Sequence, residues 1–137
     1  MAFTGPFEDR LAIRELLDAY ADAVCRRDDH GWAMTWAPDG VWKIRGKEIR
    51  GRDALRATWI EAMAAYSFVG FAAYPGEIRV DGNHATARVQ TIEWLEPVAG
   101  PPRRQHGCYE DRLLKIESRW YFAERSYNFL YPQSTLT

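Results

Sequence analysis

The stretch Tyr109–Arg125, YEDRLLKIESRWYFAER, decides the fold. Tyr109-Glu110-Asp111-Arg112-Leu113-Leu114 reads as one strand and Trp120-Tyr121-Phe122-Ala123-Glu124-Arg125 as another. Only Lys115 to Arg119 separates them, with Glu117-Ser118 as the turn, so a long antiparallel hairpin closes the chain. The opposite end is helical. Ile13, Leu16, Leu17, Tyr20 and Val24 recur at helical spacing between Leu11 and Arg26, with Arg14, Glu15, Asp18 and Asp22 between them. That is an amphipathic helix with one buried stripe. A helix first and a hairpin last predict a curved sheet folded over helices, an arrangement that encloses a pocket.

The segments between these ends fit that plan. Asp28-Asp29 caps a short second helix through Trp32 and Trp36, and Pro38-Asp39-Gly40 stops it. Val41 to Arg45 is a strand, Gly46-Lys47 its turn and Glu48-Ile49-Arg50 the return. Gly51 to Tyr66 is a third helix, with Leu55, Trp59, Ile60 and Met63 on one face. Phe68 to Tyr74 and Glu77 to Val80 are strands, followed by the turn Asp81-Gly82-Asn83. Ala85 to Leu95 is another strand, and Pro97 to Pro102 a Gly- and Pro-rich loop. The fold class is α+β, with at least four antiparallel strands wrapped over N-terminal helices in one domain spanning residues 1–137.

Composition narrows the partners. A chain of 137 residues buries roughly 68% of its unfolded surface, enough for a core without disulfides or a structural metal. Six Trp, seven Tyr and six Phe supply broad apolar walls with polar tips. The 18 basic and 19 acidic side chains nearly cancel, so nothing steers the chain toward nucleic acid or an anionic membrane. Cys25 and Cys108 are far apart and lack metal-ligand spacing, which suits free thiols in a reducing compartment. No basic, apolar leader opens the chain and no run reaches the length of a membrane span, so the expected location is cytoplasmic. No phosphate loop, Gly-x-Ser-x-Gly or metal cluster is visible, and no cofactor is expected.

A family resemblance rests on Ile13-Arg14-Glu15-Leu16-Leu17, Asp39-Gly40-Val41-Trp42 and Gly51-Arg52-Asp53-Ala54-Leu55, in that order. It continues through Val80-Asp81-Gly82-Asn83, Tyr109-Glu110-Asp111 and Trp120 to Arg125. The chain resembles SnoaL-like members of the nuclear transport factor 2-like superfamily over nearly its whole length. The resemblance implies an α+β cone with one pocket at its open end, usually in a homo-oligomer. Relatives include polyketide cyclases, scytalone dehydratase, a dehydrochlorinase, ketosteroid isomerase and non-catalytic binding proteins. The dehydratase and dehydrochlorinase branch uses an Asp–His pair. Here the Asp position falls on Cys25 and the His position on Gly70 or Phe71. Neither acid nor imidazole is present. A thiol with no base beside it stays protonated near neutrality, so Cys25 reads as a small buried hydrophobe rather than a nucleophile.

The remaining candidates follow from strand parity. Gln105, Gly107, Tyr109 and Asp111 share one face, which the resemblance turns toward the pocket. His106, Cys108 and Glu110 then face outward, unless a bulge reverses the row. His84 and His30 read as solvated. Arg125, Tyr127 and Phe129 form a second row, and Arg125 matches a pocket arginine of the dehydrochlorinase-like branch. A guanidinium facing a cavity needs an acidic partner or an anionic ligand. Glu93, in the row Val89, Thr91, Glu93, is the partner expected. Arg125, Glu93 and Tyr109 are thus the catalytic candidates. Tyr20, Cys25, Trp36, Trp42, Phe71, Thr91, Tyr127 and Phe129 are the ligand-binding ones.

Two functions remain open. One is a cofactor-free dehydratase, isomerase or cyclase acting on a hydrophobic cyclic molecule. The other is a non-catalytic ligand-binding or accessory subunit, like the small subunit of ring-hydroxylating oxygenases. Either is expected as a homo-oligomer, a dimer or trimer.

Overall fold

Pro6 fixes where the first helix begins. Its locked φ of −59° suits a helix entry, and Glu8 and Asp9 complement the positive N-terminal end. In the computed structural model, which describes residues 1–132, helix α1 therefore runs Phe7–Arg26 rather than starting at Leu11. It ends on Arg27 in the left-handed conformation, φ 56°. The Arg27 side chain donates to the Met63 carbonyl at 3.1 Å and to the Tyr66 carbonyl, tying the end of α1 to the end of helix α3 (Arg52–Met63).

Helix α2 (Asp29–Met34) is capped by Asp28, whose carboxylate accepts from Gly31 N at 2.9 Å. It stops at Met34 instead of continuing through Trp36. Strand β2 (Trp36–Ile44) begins there and carries Pro38-Asp39-Gly40 within it. The register slips between Trp36 and Val41, and this irregularity accommodates a proline that cannot donate to a ladder. Short strands β1 (Phe3–Thr4) and β3 (Lys47–Arg50) lie at the two edges of the sheet.

Strands β4 (Tyr66–Asp81), β5 (His84–Pro97), β6 (Arg103–Ile116) and β7 (Arg119–Tyr131) are longer than their sequence patterns. The two expected runs within Phe68–Val80 are one strand bent at a register shift between Pro75 and Glu77. The expected closing turn is present, with Glu117 and Ser118 both at positive φ. The seven strands run in the order β1-β4-β5-β6-β7-β2-β3, antiparallel except for β1 with β4 and β2 with β7. The sheet curves over the helices. Its inner row meets Ile13, Leu17 and Tyr20 of α1 and Leu55, Trp59 and Met63 of α3 in one apolar core.

A further bulge matters more for chemistry. Arg112 pairs with Glu124 but Leu113 pairs with Phe122, which leaves Ala123 as the extra residue. Phe122 and Arg125 would otherwise lie on opposite faces. The bulge turns both inward, and both are buried.

Candidate functional site

A cavity of about 360 Å³ opens between the concave sheet, α3 and the β2–β3 hairpin. Trp42, Trp59, Tyr20, Phe71, Tyr109 and Tyr127 wall it with rings. Ile44, Ile49, Met63, Val69 and Leu95 add aliphatic surface. Two polar groups of the sheet, Glu93 and Gln105, point into it.

Glu93 and Gln105 pair across β5 and β6, and their side chains meet. Gln105 Nε2 lies 3.5 Å from Glu93 Oε1 and donates to the Tyr127 hydroxyl at 2.9 Å. Gln105 Oε1 is buried without a partner among the described residues. Glu93 is half-buried and forms no ion pair with a described residue. Burial raises its pKa from 4.5 to about 7, with the Arg45 and Arg103 charges opposing that shift. Burial likewise raises the Tyr127 hydroxyl, aided by the Glu93 charge. Gly107 makes room for Tyr127: a Cβ there would stand 2.1 Å from the tyrosine oxygen.

Below the cavity floor lies a separate charged pair. Arg125 Nε donates to Asp111 Oδ1 at 2.7 Å and Nη2 to Oδ2 at 3.0 Å. The Asp111 side chain is fully buried and that of Arg125 is 1% exposed. The guanidinium is packed among the rings of Tyr109, Phe122 and Tyr20, at 3.8, 4.2 and 4.5 Å from their centroids. Burial raises the Asp111 carboxyl above its ordinary value, and the adjacent guanidinium opposes this. The expected partnership of Arg125 with Glu93 is therefore corrected. Asp111 faces Arg125 directly across β6 and β7 and takes its two-pronged bond, while Glu93 lies two strands away from Arg125.

Other candidates also sit away from the cavity. Trp36 is fully buried with Trp32, Phe122 and Tyr20 because it opens β2 before the register slip. Thr91 is fully buried opposite Gly107, with its hydroxyl unpaired among the described residues. Phe129 lies past the cavity on β7 and is 40% exposed. Cys25 is exposed rather than a buried hydrophobe. Its Sγ lies 3.4 Å from Phe71 N and 3.5 Å from Phe71 O, so the two positions expected for an Asp–His pair do meet, as a thiol and a backbone. Tyr109 stays at the cavity, accepting from Trp42 Nε1 at 3.2 Å. Gln105 and Asp111 were not singled out in the sequence, although both belong to the inward row of Tyr109.

The sequence pattern of the SnoaL-like domain matches residues 6–126. The chain belongs to the SnoaL-like domain family. Its α+β cone is that of the nuclear transport factor 2-like superfamily. Among solved structures, this SnoaL-like domain is 27% identical to Rv3472, a protein of unknown function from Mycobacterium tuberculosis, solved as a variant. That match covers 96% of this chain and 84% of the other, with a TM-score of 0.80. A ketosteroid isomerase-like protein from Erwinia carotovora atroseptica is 21% identical, covering 93% and 100%, with a TM-score of 0.82. The hexachlorocyclohexane dehydrochlorinase LinA type 2 is 17% identical, covering 94% and 91%, with a TM-score of 0.80. At these last two identities the likeness is one of fold. No curated protein matches the SnoaL-like domain in sequence. None of its helices is long and apolar enough to cross a membrane.

Proposed function

We propose that this SnoaL-like domain binds a hydrophobic cyclic molecule in the aromatic cavity and moves a proton on it, using Glu93 as general base and acid. The observation that carries this reading is the carboxyl itself. Glu93 faces an apolar space without an ion-pair partner among the described residues, and its side-chain hydrogen-bond partner there is the amide of Gln105. A carboxyl held near pH 7 exchanges protons with carbon or oxygen acids under neutral conditions. Tyr127 accepts from Gln105 and keeps its own hydroxyl proton to give to a substrate oxygen. The unpaired Gln105 Oε1 is an acceptor for a substrate hydroxyl. Dehydration, isomerisation next to a carbonyl, or cyclisation each needs such a base and such a donor, and none needs a cofactor. Arg125 holds the Tyr109 and Tyr20 rings in place rather than touching the ligand.

The test uses a reaction that needs only a desolvated base. Ring opening of 5-nitrobenzisoxazole by proton abstraction should proceed with an apparent pKa near 7. Glu93→Gln should lower its rate by about 10²-fold or more. An unchanged rate in Glu93→Gln would remove the base from this site.

A non-catalytic ligand-binding domain is the second reading. It is favoured by Cys25 and Phe71, which bring a thiol and a backbone amide together where the dehydratase branch has an acid and an imidazole. Ligand binding with no proton transfer from any probe would select it. For either reading we propose a homo-oligomer joined through the outer sheet face. Pairing of Gly70 with Trp94, Tyr74 with Gln90 and Ile92 with His106 sets Phe68, Tyr74, Ile92, Trp94 and His106 on that face. Phe68, Tyr74 and Trp94 are 48, 58 and 49% exposed.

A further inference from the structure

The cavity walls are apolar, but the entrance is cationic. Arg45 and Lys47, on the turn joining β2 to β3, line the cavity and are exposed. Neither forms an ion pair with a described residue. A third cation, Arg103, reaches the entrance from β6 and donates to the hydroxyl of the lining residue Tyr66 at 2.9 Å. Glu93 is the only acid among the lining residues. Glu48, the acid nearest on the hairpin, is held by Arg50 at 2.9 Å. A chain with net charge −1 thus gathers, at the mouth of its cavity, three cations that form no ion pair with a described residue.

The turn does not account for Arg45. Ile44 pairs with Lys47, and the two residues between them, Arg45 and Gly46, have φ of 53° and 74°. A two-residue turn with positive φ at both positions favours Asn or Gly over a long side chain. Arg45 sits there at a conformational cost, with its charge close enough to Glu93 and Tyr127 to bias both.

We infer that the ligand is an amphipathic anion: a ring system that fills the aromatic cavity and carries one carboxylate, which lies at the entrance among Arg45, Lys47 and Arg103. This rests on the reading of the cavity as a ligand site and adds the ligand's charge and orientation. The carboxylate faces the mouth, so the end of the ring system opposite to it lies deepest, beside Tyr109 and Trp42. Glu93 meets the carbon framework at the inner edge of the cationic zone.

A matched pair of probes tests this by titration calorimetry: 2-naphthoate and its neutral counterpart 2-naphthalenemethanol. At low salt the acid should bind about fivefold to tenfold more tightly than the alcohol, and ~0.5 M salt should shrink that ratio. In Arg45→Glu/Lys47→Glu the ratio should fall to one or below, with circular dichroism melts reporting that the exposed turn leaves the fold intact. Equal binding of both probes to the parent protein would overturn the cationic mouth and leave the cavity reading standing. A preference that persists in the double variant would overturn it too, by locating the anion elsewhere. Failure of both probes to bind would overturn this inference together with the ligand site on which it rests.

Discussion

At position 93 a carboxyl faces an aromatic wall, and its titration links chemistry to stability. The folded protein holds this proton to about pH 7, whereas the unfolded chain releases it near 4.5. The folded state therefore binds more protons within that window. Stability from this group is fully present below about pH 4.5, falls as pH rises to about 7, and is level above. Glu93→Gln should remove this slope and raise the melting temperature at pH 8, by an amount worth about 1–3 kcal/mol. Thermal melts from pH 4 to 9 check it, and a parent protein that gains stability across the window would contradict the assignment. Asp111 and Arg125 behave differently. Arg125→Met leaves a buried carboxyl unpaired and should cost about 3–5 kcal/mol. Arg125→Met with Asp111→Leu should recover much of that loss, since no lone charge remains. Arg125→Met with Glu93→Gln should recover little, because Glu93 is not the partner.

At the scale of elements, register decides which side chains meet. Alternation alone placed Gln105, Tyr109 and Asp111 on one face of β6, and the family resemblance turned that face inward. The bulge at Ala123 was not legible, because nothing in Trp120-Tyr121-Phe122-Ala123-Glu124-Arg125 marks an extra residue. Gly107 is the complementary case. Its place in the Tyr109 row was visible, but its purpose depends on Tyr127 of the next strand, which lies over it. Gly107→Ala should displace the Tyr127 ring and break its 2.9 Å bond from Gln105, at a cost of about 1–3 kcal/mol. Adding Tyr127→Ala should relieve the strain. A single variant that melts like the parent and keeps the 5-nitrobenzisoxazole rate would mean the ring moves freely.

For the whole molecule, the outer face of the sheet carries the oligomer proposal. Trp94→Glu places a charge in the middle of the apolar band formed with Phe68 and Tyr74. Light scattering should then read a monomer of 15.8 kDa, against a multiple of it for the parent. A parent that is itself monomeric at micromolar concentration would refute the proposal.

The sequence by itself determined the class of the molecule. Apolar spacing of 3.6 along Ile13 to Val24 and the hairpin at Glu117-Ser118 are local signals, and local signals survive without knowledge of neighbours. They sufficed for the α+β class and for helices on one face of a curved sheet, while the cone and the rows facing its pocket came from the family resemblance. Tertiary structure alone decided the pairings. Arg125 chose Asp111 over Glu93 because cross-strand register brings two oxygens to its fork at 2.7 and 3.0 Å. Arg45, Lys47 and Trp59 joined Glu93 around one space because a hairpin and a helix, separated from it by more than 30 residues of sequence, close over the same sheet. Periodicity reports which face a residue occupies. Only the packing of one element on another reports what stands opposite, and the chemistry of this site depends on that.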